Sequence, residues 1–327
     1  MKRLHVAQES WPIRGNFTIS RGAKREAQVI VASISDGAHS GRGECVPYGR
    51  YGESVESVLA QIDTLKPRIE AGMTRAQLQG ACPAGAARNA VDCALWDLEA
   101  KQRSTPVWKL AGLPAPGPCI TAYTLSLDTP DAMGTAAASA AQFPLLKLKL
   151  GAEAVIDSVT AVHAASPDAK LIIDANEAWD LALLQAVSPH LKALNVVLIE
   201  QPLPADADEA LARHTWPVPL CADESCHEID SLAQLGEKYA LINIKLDKTG
   251  GLTGALALAG AARARGFGIM VGCMVSTSLA MAPAMLLAGL AEFADLDGPL
   301  LLQQDRAGGL RSEAGGILHP PDPVLWG

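Results

Sequence analysis

The sequence is poor in the features that mark membrane-bound, secreted and nucleic-acid-binding proteins. Of its 327 residues only 4% are aromatic and 19% are charged, and no run of five residues carries charge of one sign. With a formal net charge of −8, the chain offers no basic surface to nucleic acid or to an anionic membrane. Because 49% of the residues are hydrophobic, we expect a globular protein. Without a basic surface, its expected partner is a small molecule. A homo-oligomer is compatible with this composition.

Cysteine usage and the N-terminus predict a cytoplasmic location. The seven cysteines are odd in number and scattered, and none forms a Cys-x-x-Cys pair, which is typical of a reduced compartment. No apolar segment follows the first positive charges, so no signal peptide is predicted. The uncharged stretch 266–291 is long enough for a membrane span, but its glycines and Pro283 divide it into a strand and a helix.

A change in the pattern of apolar residues along the chain predicts two domains. Residues 1–118 begin with an apolar alternation at 29–34 and continue with helical patterns near 53–70 and 85–103, which is typical of an α+β fold. The prolines and glycine of 113–118 break regular structure and mark the boundary. The glycine- and proline-rich tail 299–327 is expected to return to the N-terminal domain.

Residues 119–298 contain eight short strand patterns, separated by alanine-rich helical patterns. The strands recur about every 25 residues, which is roughly the length of one βα unit. No helical pattern follows Asp297 in the eighth unit. The predicted fold class is therefore α/β, a modified TIM-like (β/α)7β barrel preceded by an α+β domain.

Ionisable side chains stand at the ends of six of these strands. They are Lys147 and Lys149 on the second strand, Asp174 on the third, Glu200 on the fourth, Asp223 on the fifth, Lys245 on the sixth, and Asp295 with Asp297 on the eighth. Taken singly, such an aspartate is usually a helix N-cap and such a lysine is usually solvated. Strand ends of a barrel meet at one mouth, however, so three acids on consecutive strands repel one another unless a cation neutralises them. Oxygen donors favour Mg²⁺, with Mn²⁺ as an alternative.

The lysines flank this predicted metal site from two sides. Lys149 and Lys245 would meet opposite faces of a substrate, which is the geometry for removing a proton next to a carboxylate and returning it from either side. Lys147 is placed to tune the neighbouring base. From the residues alone, an aldolase that forms a Schiff base through Lys149 or Lys245 stays open, as does a barrel that only binds a ligand.

The motifs around these residues resemble the muconate-lactonizing subgroup of the enolase superfamily. They are Lys147-x-Lys149, the run 174–179, Glu200-Gln-Pro202, Asp223-Glu-Ser225, Asn243-Ile-Lys245 and Thr249-Gly-Gly251. The resemblance covers nearly the whole chain. It implies that residues 1–118, joined by the tail 299–327, form a capping domain over the mouth of a barrel made by residues 119–298. It also implies lysine bases working with a metal.

Within that subgroup, Asp295-x-Asp297 resembles the pair that binds the free ammonium group of the substrate in dipeptide epimerases. The resemblance implies interconversion of L-Ala-D-Glu and L-Ala-L-Glu in murein peptide metabolism, by two-lysine proton transfer through a metal-stabilised enediolate. The alternatives are an N-acylamino acid racemase, an o-succinylbenzoate synthase-like lyase and a muconate cycloisomerase. Asp295 and Asp297 could instead simply hold a lysine.

The basic segment 17–25 resembles the mobile loop that meets the distal carboxylate of the substrate. Arg21 is the preferred ligand because a planar guanidinium can form two bonds to a carboxylate, and Lys24 and Arg25 stand behind it. A solvated basic hairpin is the alternative. On the seventh strand Cys273, Met274 and Ser276 are expected to line the pocket floor. Cys273 is expected to pack rather than react, since no histidine is visibly paired with it.

Overall fold

The computed structural model describes residues 2–327, and its N-terminal part is an antiparallel sheet covered by helices. The sheet contains, in spatial order, β1 (Arg3–Ile19), β2 (Gly22–Ser35) and β3 (Ser40–Cys45). The helices are α1 (Val55–Glu70), α2 (Arg75–Gln79), α3 (Ala86–Arg103) and α4 (Val107–Leu110). Residues 29–34 lie in β2, the central strand, and both faces of this strand are buried there, because Val29 and Val31 pack in one hydrophobic cluster and Ile30 and Ile34 in another.

Helix α3 packs on β3 at a distance that only glycine permits. A Cβ atom on Gly41 would lie 2.2 Å from the carbonyl oxygen of Ala94, and one on Gly43 would lie 2.2 Å from that of Ala90. Most side chains of α3 are buried, because the helix lies between this sheet and the barrel. The close approach therefore fixes the helix that joins the two parts of the molecule.

The barrel-facing side of α3 binds the segment after the sixth barrel strand. Asn89 Nδ2 donates to Oδ1 of Asp247 at 2.7 Å, and Arg88 Nη2 donates to the carbonyl oxygen of Thr249 at 2.8 Å. All four residues are buried. The N-terminal part is thus attached to the barrel through polar contacts that solvent does not reach.

Eight parallel strands form the barrel sheet, which confirms the predicted fold class. After β4 (Cys119–Ile120), the barrel strands are β5 (Tyr123–Leu125), β6 (Leu145–Lys149), β7 (Lys170–Asp174), β8 (Val196–Glu200), β9 (Leu220–Ala222), β10 (Leu241–Ile244), β11 (Gly268–Gly272) and β12 (Phe293–Asp295). They neighbour one another in chain order. A parallel bridge between Thr121 and Ala294 brings the first and last strands together, and the backbone N–H of Ala122 donates to Ala294 O at 2.8 Å.

The connecting helices are less regular than the spacing predicts. They are α5 (Pro130–Ser139), α6 (Val155–Ala165), α7 (Leu181–Ala193), α8 (Leu246–Thr249), α9 (Leu252–Ala264), α10 (Ser278–Ala288) and, after β12, α11 (Gly298–Leu301). The connections after β8 and β9 contain only the 3₁₀ segments Glu209–Arg213 and Ile229–Gln234. Prolines at 202, 204, 217 and 219 stand at the two ends of the first of these connections, which leaves only residues 205–216 between them for a helix.

The C-terminal tail lies against both parts of the molecule. Its strand β14 (Ile317–Leu318) pairs with β4 on one side and with β13 (Ser312–Glu313) on the other. The Trp326 indole N–H donates to the carbonyl oxygen of Cys93 at 3.0 Å, and Arg306 Nη2 lies 2.6 Å from Oε2 of the buried Glu44. The uncharged stretch 266–291 forms β11 and α10, and no helix within residues 2–327 has the length and apolarity of a membrane span.

The attachment of α3 predicts a pH-dependent stability. Burial raises the pKa of Asp247 to about 7, against the opposing hydrogen bonds from Asn89 and Val46. A raised carboxyl pKa favours the neutral form in the folded state, so stability is lost as pH rises through the native value. We expect Asp247→Asn to gain about 3 kcal/mol more over the native chain at pH 9 than at pH 5. Urea unfolding of both proteins measures this, and an equal difference at the two pH values would contradict it.

Candidate active site

The carboxyl ends of β6 to β9 bring the predicted site residues to one level of the barrel. In the strand register Lys149 is the partner of Asp174, and Asp174 is the partner of Glu200. Glu200 is in turn paired with Cys221, two residues before Asp223. This regular register explains why the sequence spacing alone could predict which side chains gather at the barrel mouth.

Buried lysines lie among the acidic side chains. Nζ of Lys147 is 2.6 Å from Glu200 Oε2 and 3.2 Å from Asp174 Oδ2, and Nζ of Lys149 is 2.5 Å from the same Asp174 oxygen. Nζ of Lys245 is 2.7 Å from Asp223 Oδ2 and 4.0 Å from Glu200 Oε1. All of these residues are buried, so the ion pairs are shielded from solvent.

Burial and charge act against each other in this cluster. Burial alone lowers the pKa of Lys147, but Asp295, Glu200 and Asp174 raise it well above its usual range. The pKa of Lys245 rises in the same way, because Asp223 and Glu200 outweigh its burial. Burial and the neighbouring Asp174 raise the pKa of Glu200 to about 7. The charges of this cluster therefore stabilise its lysines in the charged form, whereas burial and Asp174 favour the neutral form of Glu200.

Several buried polar atoms in this region have no hydrogen-bond partner. Six of the eight such side-chain atoms found in residues 2–327 are Tyr51 OH, Asn176 Oδ1, Glu200 Oε2, Glu224 Oε2, Asn243 Oδ1 and Asp295 Oδ1. Four of these atoms belong to residues at or just after the ends of barrel strands, and Asn243 lies within β10. Buried polar groups are normally paired, so these atoms mark the place where an ion, a ligand or water completes the structure.

The predicted metal ligands need a rearrangement of the lysines before they can hold an ion. Within residues 2–327 no group of three His, Cys, Asp or Glu side chains stands ready to bind a metal. Asp174, Glu200 and Asp223 each contact a lysine instead. Their donor atoms are all oxygens, and Oε2 of Glu200 makes no hydrogen bond, although Nζ of Lys147 lies 2.6 Å from it. These hard, buried oxygens fit a divalent cation such as Mg²⁺.

The aspartates of the eighth strand differ from each other. Asp295 Oδ2 accepts a hydrogen bond from Lys147 at 2.6 Å, so this residue does hold a lysine, while its Oδ1 is buried without a partner. Asp297 Oδ2 accepts from the backbone N–H of Thr124 at 2.7 Å. Burial and the neighbouring Asp295 raise the pKa of Asp297 to about 7. The pair thus retains acceptor capacity next to the cavity.

A cavity of about 600 Å³ opens at this end of the barrel. From the barrel it is lined by Thr124, Lys149, Asn176, Asp223, Lys245, Cys273, Met274, Asp295 and Asp297, and from the N-terminal part by residues that include Phe17, Arg21, Lys24, Arg25 and Tyr48. Of the floor residues expected on the seventh strand, Ser276 does not line it. Ser276 is buried, and its hydroxyl donates to the carbonyl oxygen of Met274 at 2.8 Å.

The basic segment 17–25 is the tip of a hairpin rather than an open loop. Strand β1 continues to Ile19 and β2 begins at Gly22, so only two residues form the turn. Nη2 of Arg21 lies 2.7 Å from Glu224 Oε1, and Nη1 donates to the carbonyl oxygen of Asn176 at 2.8 Å. The guanidinium expected to bind substrate is therefore engaged in attaching the hairpin to the barrel.

The two basic residues behind Arg21 are less engaged. Burial lowers the pKa of Lys24, and within residues 2–327 no carboxylate raises it. Its Nζ lies 5.3 Å from the centroid of the Tyr48 ring. Arg25 Nε donates to Oδ1 of Asn16 at 3.0 Å. Both residues face the cavity and keep donors for a ligand.

Sequence reasoning missed two buried polar residues beside Asp223. Lys248 contacts Asp223 Oδ1 at 2.6 Å, and Gln201 Oε1 accepts from the backbone N–H of Asp223 at 2.9 Å. Gln201 stands inside the Glu-Gln-Pro motif, but the motif alone predicts no role for its side chain. A lysine is usually solvated, so nothing in the spacing of Lys248 indicated that it is buried.

Two models of protein domain families match the chain. The mandelate racemase/muconate lactonizing enzyme N-terminal domain matches residues 1–112, and the enolase C-terminal domain-like family matches residues 132–323. The chain therefore belongs to the mandelate racemase/muconate lactonizing enzyme family. This confirms the resemblance to the enolase superfamily that the strand-end motifs indicated.

Two relatives that are similar to this chain are named for substrates that contain glutamate. The chain is 48% identical to L-Ala-D/L-Glu epimerase from Escherichia coli K12 over 307 residues, which cover 93% of this chain and 96% of that protein. It is also 48% identical to N-acetyl-D-glutamate racemase from a Pseudoalteromonas species over 301 residues, which cover 91% and 95% of the two chains. Two proteins with related but different activities are thus equally similar to this chain.

Solved structures of similar proteins contain dipeptides. An enolase family member from Agrobacterium tumefaciens with homology to dipeptide epimerases, crystallised with sodium and L-Ala-L-Glu, is 50% identical with a TM-score of 0.97 and full coverage of both chains. A dipeptide epimerase from Enterococcus faecalis, complexed with Mg and L-Leu-L-Tyr, is 29% identical with a TM-score of 0.90 and 98% coverage of both chains.

Proposed function

We propose that this protein is a Mg²⁺-dependent dipeptide epimerase that interconverts L-Ala-D-Glu and L-Ala-L-Glu. The observation that carries the proposal is the placement of two lysines in one cavity. Lys149 at the end of β6 and Lys245 directly after β10 both line it, and the acid-bearing strands β7, β8 and β9 stand between them. This arrangement suits removal of a proton from either face of one carbon atom. The 48% identity to L-Ala-D/L-Glu epimerase supports the choice of substrate.

Asp174, Glu200 and Asp223 are the residues that would hold the metal. Bound there, Mg²⁺ supplies positive charge that stabilises the negative charge developing on the substrate carboxylate. Their oxygen donors, their burial and the Mg found with the Enterococcus relative support this assignment. Lys147, which contacts Asp174, Glu200 and Asp295, balances the charge behind them.

The two lysines facing the cavity move the proton. One removes the α-proton of the glutamate residue from the L-isomer, and the other removes it from the D-isomer. Each then returns a proton in the opposite direction, as a transfer between two faces requires. Lys147 lies behind Lys149 on the same strand and shares Oδ2 of Asp174 with it, so we assign it a tuning role.

The remaining polar groups of the cavity fix the two ends of the dipeptide. Asp295 and Asp297 would receive the free ammonium group, since Asp295 Oδ1 is buried without a partner and Asp297 has no lysine or arginine contact within residues 2–327. Lys24 and Arg25, with Arg21 holding the hairpin in place, would meet the distal carboxylate. Cys273 and Met274 line the floor.

The proposed division into domains follows the contacts of the tail. Residues 1–118 with the tail 299–327 would form the capping domain, since Trp326 and Arg306 bind Cys93 and Glu44 there, and residues 119–298 would form the barrel. Seven free cysteines support a cytoplasmic location. The acidic composition supports a small-molecule partner rather than nucleic acid or a membrane.

Racemisation of N-acetylglutamate is the second candidate function. Two observations favour it: the 48% identity to N-acetyl-D-glutamate racemase, and the lysine already bound to Asp295. Such a substrate carries no ammonium group. The same lysines and metal would serve it, so the two functions differ in what binds near Asp297.

The two candidates predict different responses to acetylation of the substrate. If Asp295 and Asp297 receive an ammonium group, N-acetyl-L-Ala-D-Glu should lose at least about two decades in kcat/KM relative to L-Ala-D-Glu, because buried acceptors lose their counter-charge. Initial rates measured by polarimetry test this, with N-acetyl-D-glutamate as a third substrate. A higher kcat/KM for N-acetyl-D-glutamate than for the dipeptide would select the second candidate.

Replacing either cavity lysine should separate proton exchange from inversion. We expect Lys149→Ala and Lys245→Ala to stop net epimerisation, while each variant still exchanges the α-proton of one isomer with solvent, and the two variants act on opposite isomers. Proton NMR in deuterated water measures both processes. Net interconversion at a near-native rate by Lys245→Ala would refute the two-base assignment.

Metal removal provides a third test. Excess EDTA should abolish epimerisation and added Mg²⁺ should restore it, whereas Asp223→Asn should remain folded by circular dichroism and inactive at any Mg²⁺ concentration. Full turnover in the presence of excess chelator would rule out the metal assignment.

A further inference from the structure

Lys248 is a buried lysine beside the site that does not face the cavity. It lies in the short helix α8, three residues after Lys245, and it is 2% exposed. Its Nζ donates to Asp223 Oδ1 at 2.6 Å, to the carbonyl oxygen of Asp223 at 2.6 Å and to that of Asn243 at 2.9 Å. An ammonium group has three N–H donors, so none is left for a substrate. Lys248 is therefore not a third base.

Each of the three acids at the strand ends has one oxygen tied by a donor other than the cavity lysines. Asp174 Oδ1 accepts from the backbone N–H of Asn176 at 3.0 Å. Glu200 Oε1 accepts from the amide of Asn243 at 2.6 Å. Asp223 Oδ1 accepts from Lys248. In every case the second oxygen is left toward Lys147, Lys149 or Lys245.

We propose that Lys248 is a positioning residue that makes Asp223 a one-oxygen metal ligand and sets the charge of the metal site. This inference rests on the proposed metal-dependent function. The oxygen that points away from the cavity lysines is held by a neutral donor in Asp174 and Glu200 and by a cation in Asp223. With the charge of Lys147 matched by Asp295, the three carboxylates and the ammonium of Lys248 together carry two negative charges, which one divalent cation matches.

Asp223 is held on every side except the one that faces the cavity. Gln201 Oε1 accepts from its backbone N–H at 2.9 Å, and Lys248 binds its carbonyl oxygen and Oδ1. The remaining oxygen, Oδ2, lies 2.7 Å from Nζ of Lys245. Exchange of that lysine contact for a metal ion then needs no movement of the Asp223 backbone, and it leaves Lys245 available to the substrate.

The charge argument predicts changes of opposite sign in two measurements. Lys248→Met keeps the length of the side chain but removes its charge and its donors, so the site becomes more negative and both oxygens of Asp223 become available. Divalent cations should then bind about tenfold tighter or more, because the positive charge of Lys248 repels them in the native protein. The kcat for the dipeptide should fall at least tenfold, because a more negative site weakens the stabilisation that the metal gives to negative charge developing on the substrate.

The experiment measures Mn²⁺ binding by electron paramagnetic resonance without substrate, alongside kcat with Mg²⁺. Lys101→Met is the matched control, because Lys101 also binds an aspartate, Asp97, at 2.8 Å, but does so away from the barrel mouth. It should keep the native Kd and kcat. Lys248→Gln removes the same charge with a polar side chain and replaces Lys248→Met if that variant does not fold.

A lower Kd for Mn²⁺ together with a lower kcat supports the inference, because a merely structural lysine would weaken metal binding when removed. A raised or unchanged Kd, or a native kcat, overturns it while leaving the proposed function intact. If the native protein turns over the dipeptide but binds no Mn²⁺ or Mg²⁺, the metal assignment fails, and the role of Lys248 fails with it.

Discussion

The arrangement of the barrel mouth depends on balancing the charge of buried carboxylates. Asp174, Glu200 and Asp223 are all at most 1% exposed, and a buried charge without a partner costs several kcal/mol. Lysines from β6 and from the segment after β10 supply that balance. Apolar residues would stabilise the same positions equally well or better. Stability therefore does not explain these acids and lysines, and the reaction does. The fold tolerates the free-energy cost of burying the charges because each acid lies within reach of a lysine.

The same segment that carries Lys245 also anchors the N-terminal part. Gly250 and Gly251 have positive φ angles, and a Cβ atom on them would lie 2.2 Å from Arg88 Nε and 2.6 Å from Asp92 Cβ. These two glycines thus let helix α3 approach the loop at the end of β10. The sheet that carries the hairpin and the segment that carries Lys245 therefore both contact helix α3.

The regular features of the barrel could be predicted from sequence, and the irregular contacts could not. The period of the strands placed Asp174 and Glu200 together because parallel register carries every strand end to one level. Neither the contact of Lys147 with Asp295 nor the burial of Lys248 follows from spacing, since the first crosses the barrel between β6 and β12 and the second depends on a four-residue helix. Arg21 is predicted to bind substrate because segment 17–25 resembles a substrate-binding loop and because a planar guanidinium suits a carboxylate. Its contacts with Glu224 and Asn176 depend on where the hairpin tip meets the barrel, which no local pattern contains.

Equal identity to an epimerase of L-Ala-D/L-Glu and to a racemase of N-acetyl-D-glutamate limits where substrate choice can lie. Both substrates present a glutamate carboxylate to the metal and a second carboxylate at the far end, so the lysine pair and the basic hairpin can serve either. The dipeptide carries an alanine residue with a free ammonium group, whereas N-acetylglutamate carries an acetyl group in the place of that residue. Asp295 and Asp297 line the cavity as buried carboxylates, and Lys147 already engages the first. If the proposed binding of the ammonium group at this pair is right, the charge state of Asp297 separates the two activities, because an ammonium group requires the carboxylate, whereas an acetyl group tolerates the neutral acid that burial favours.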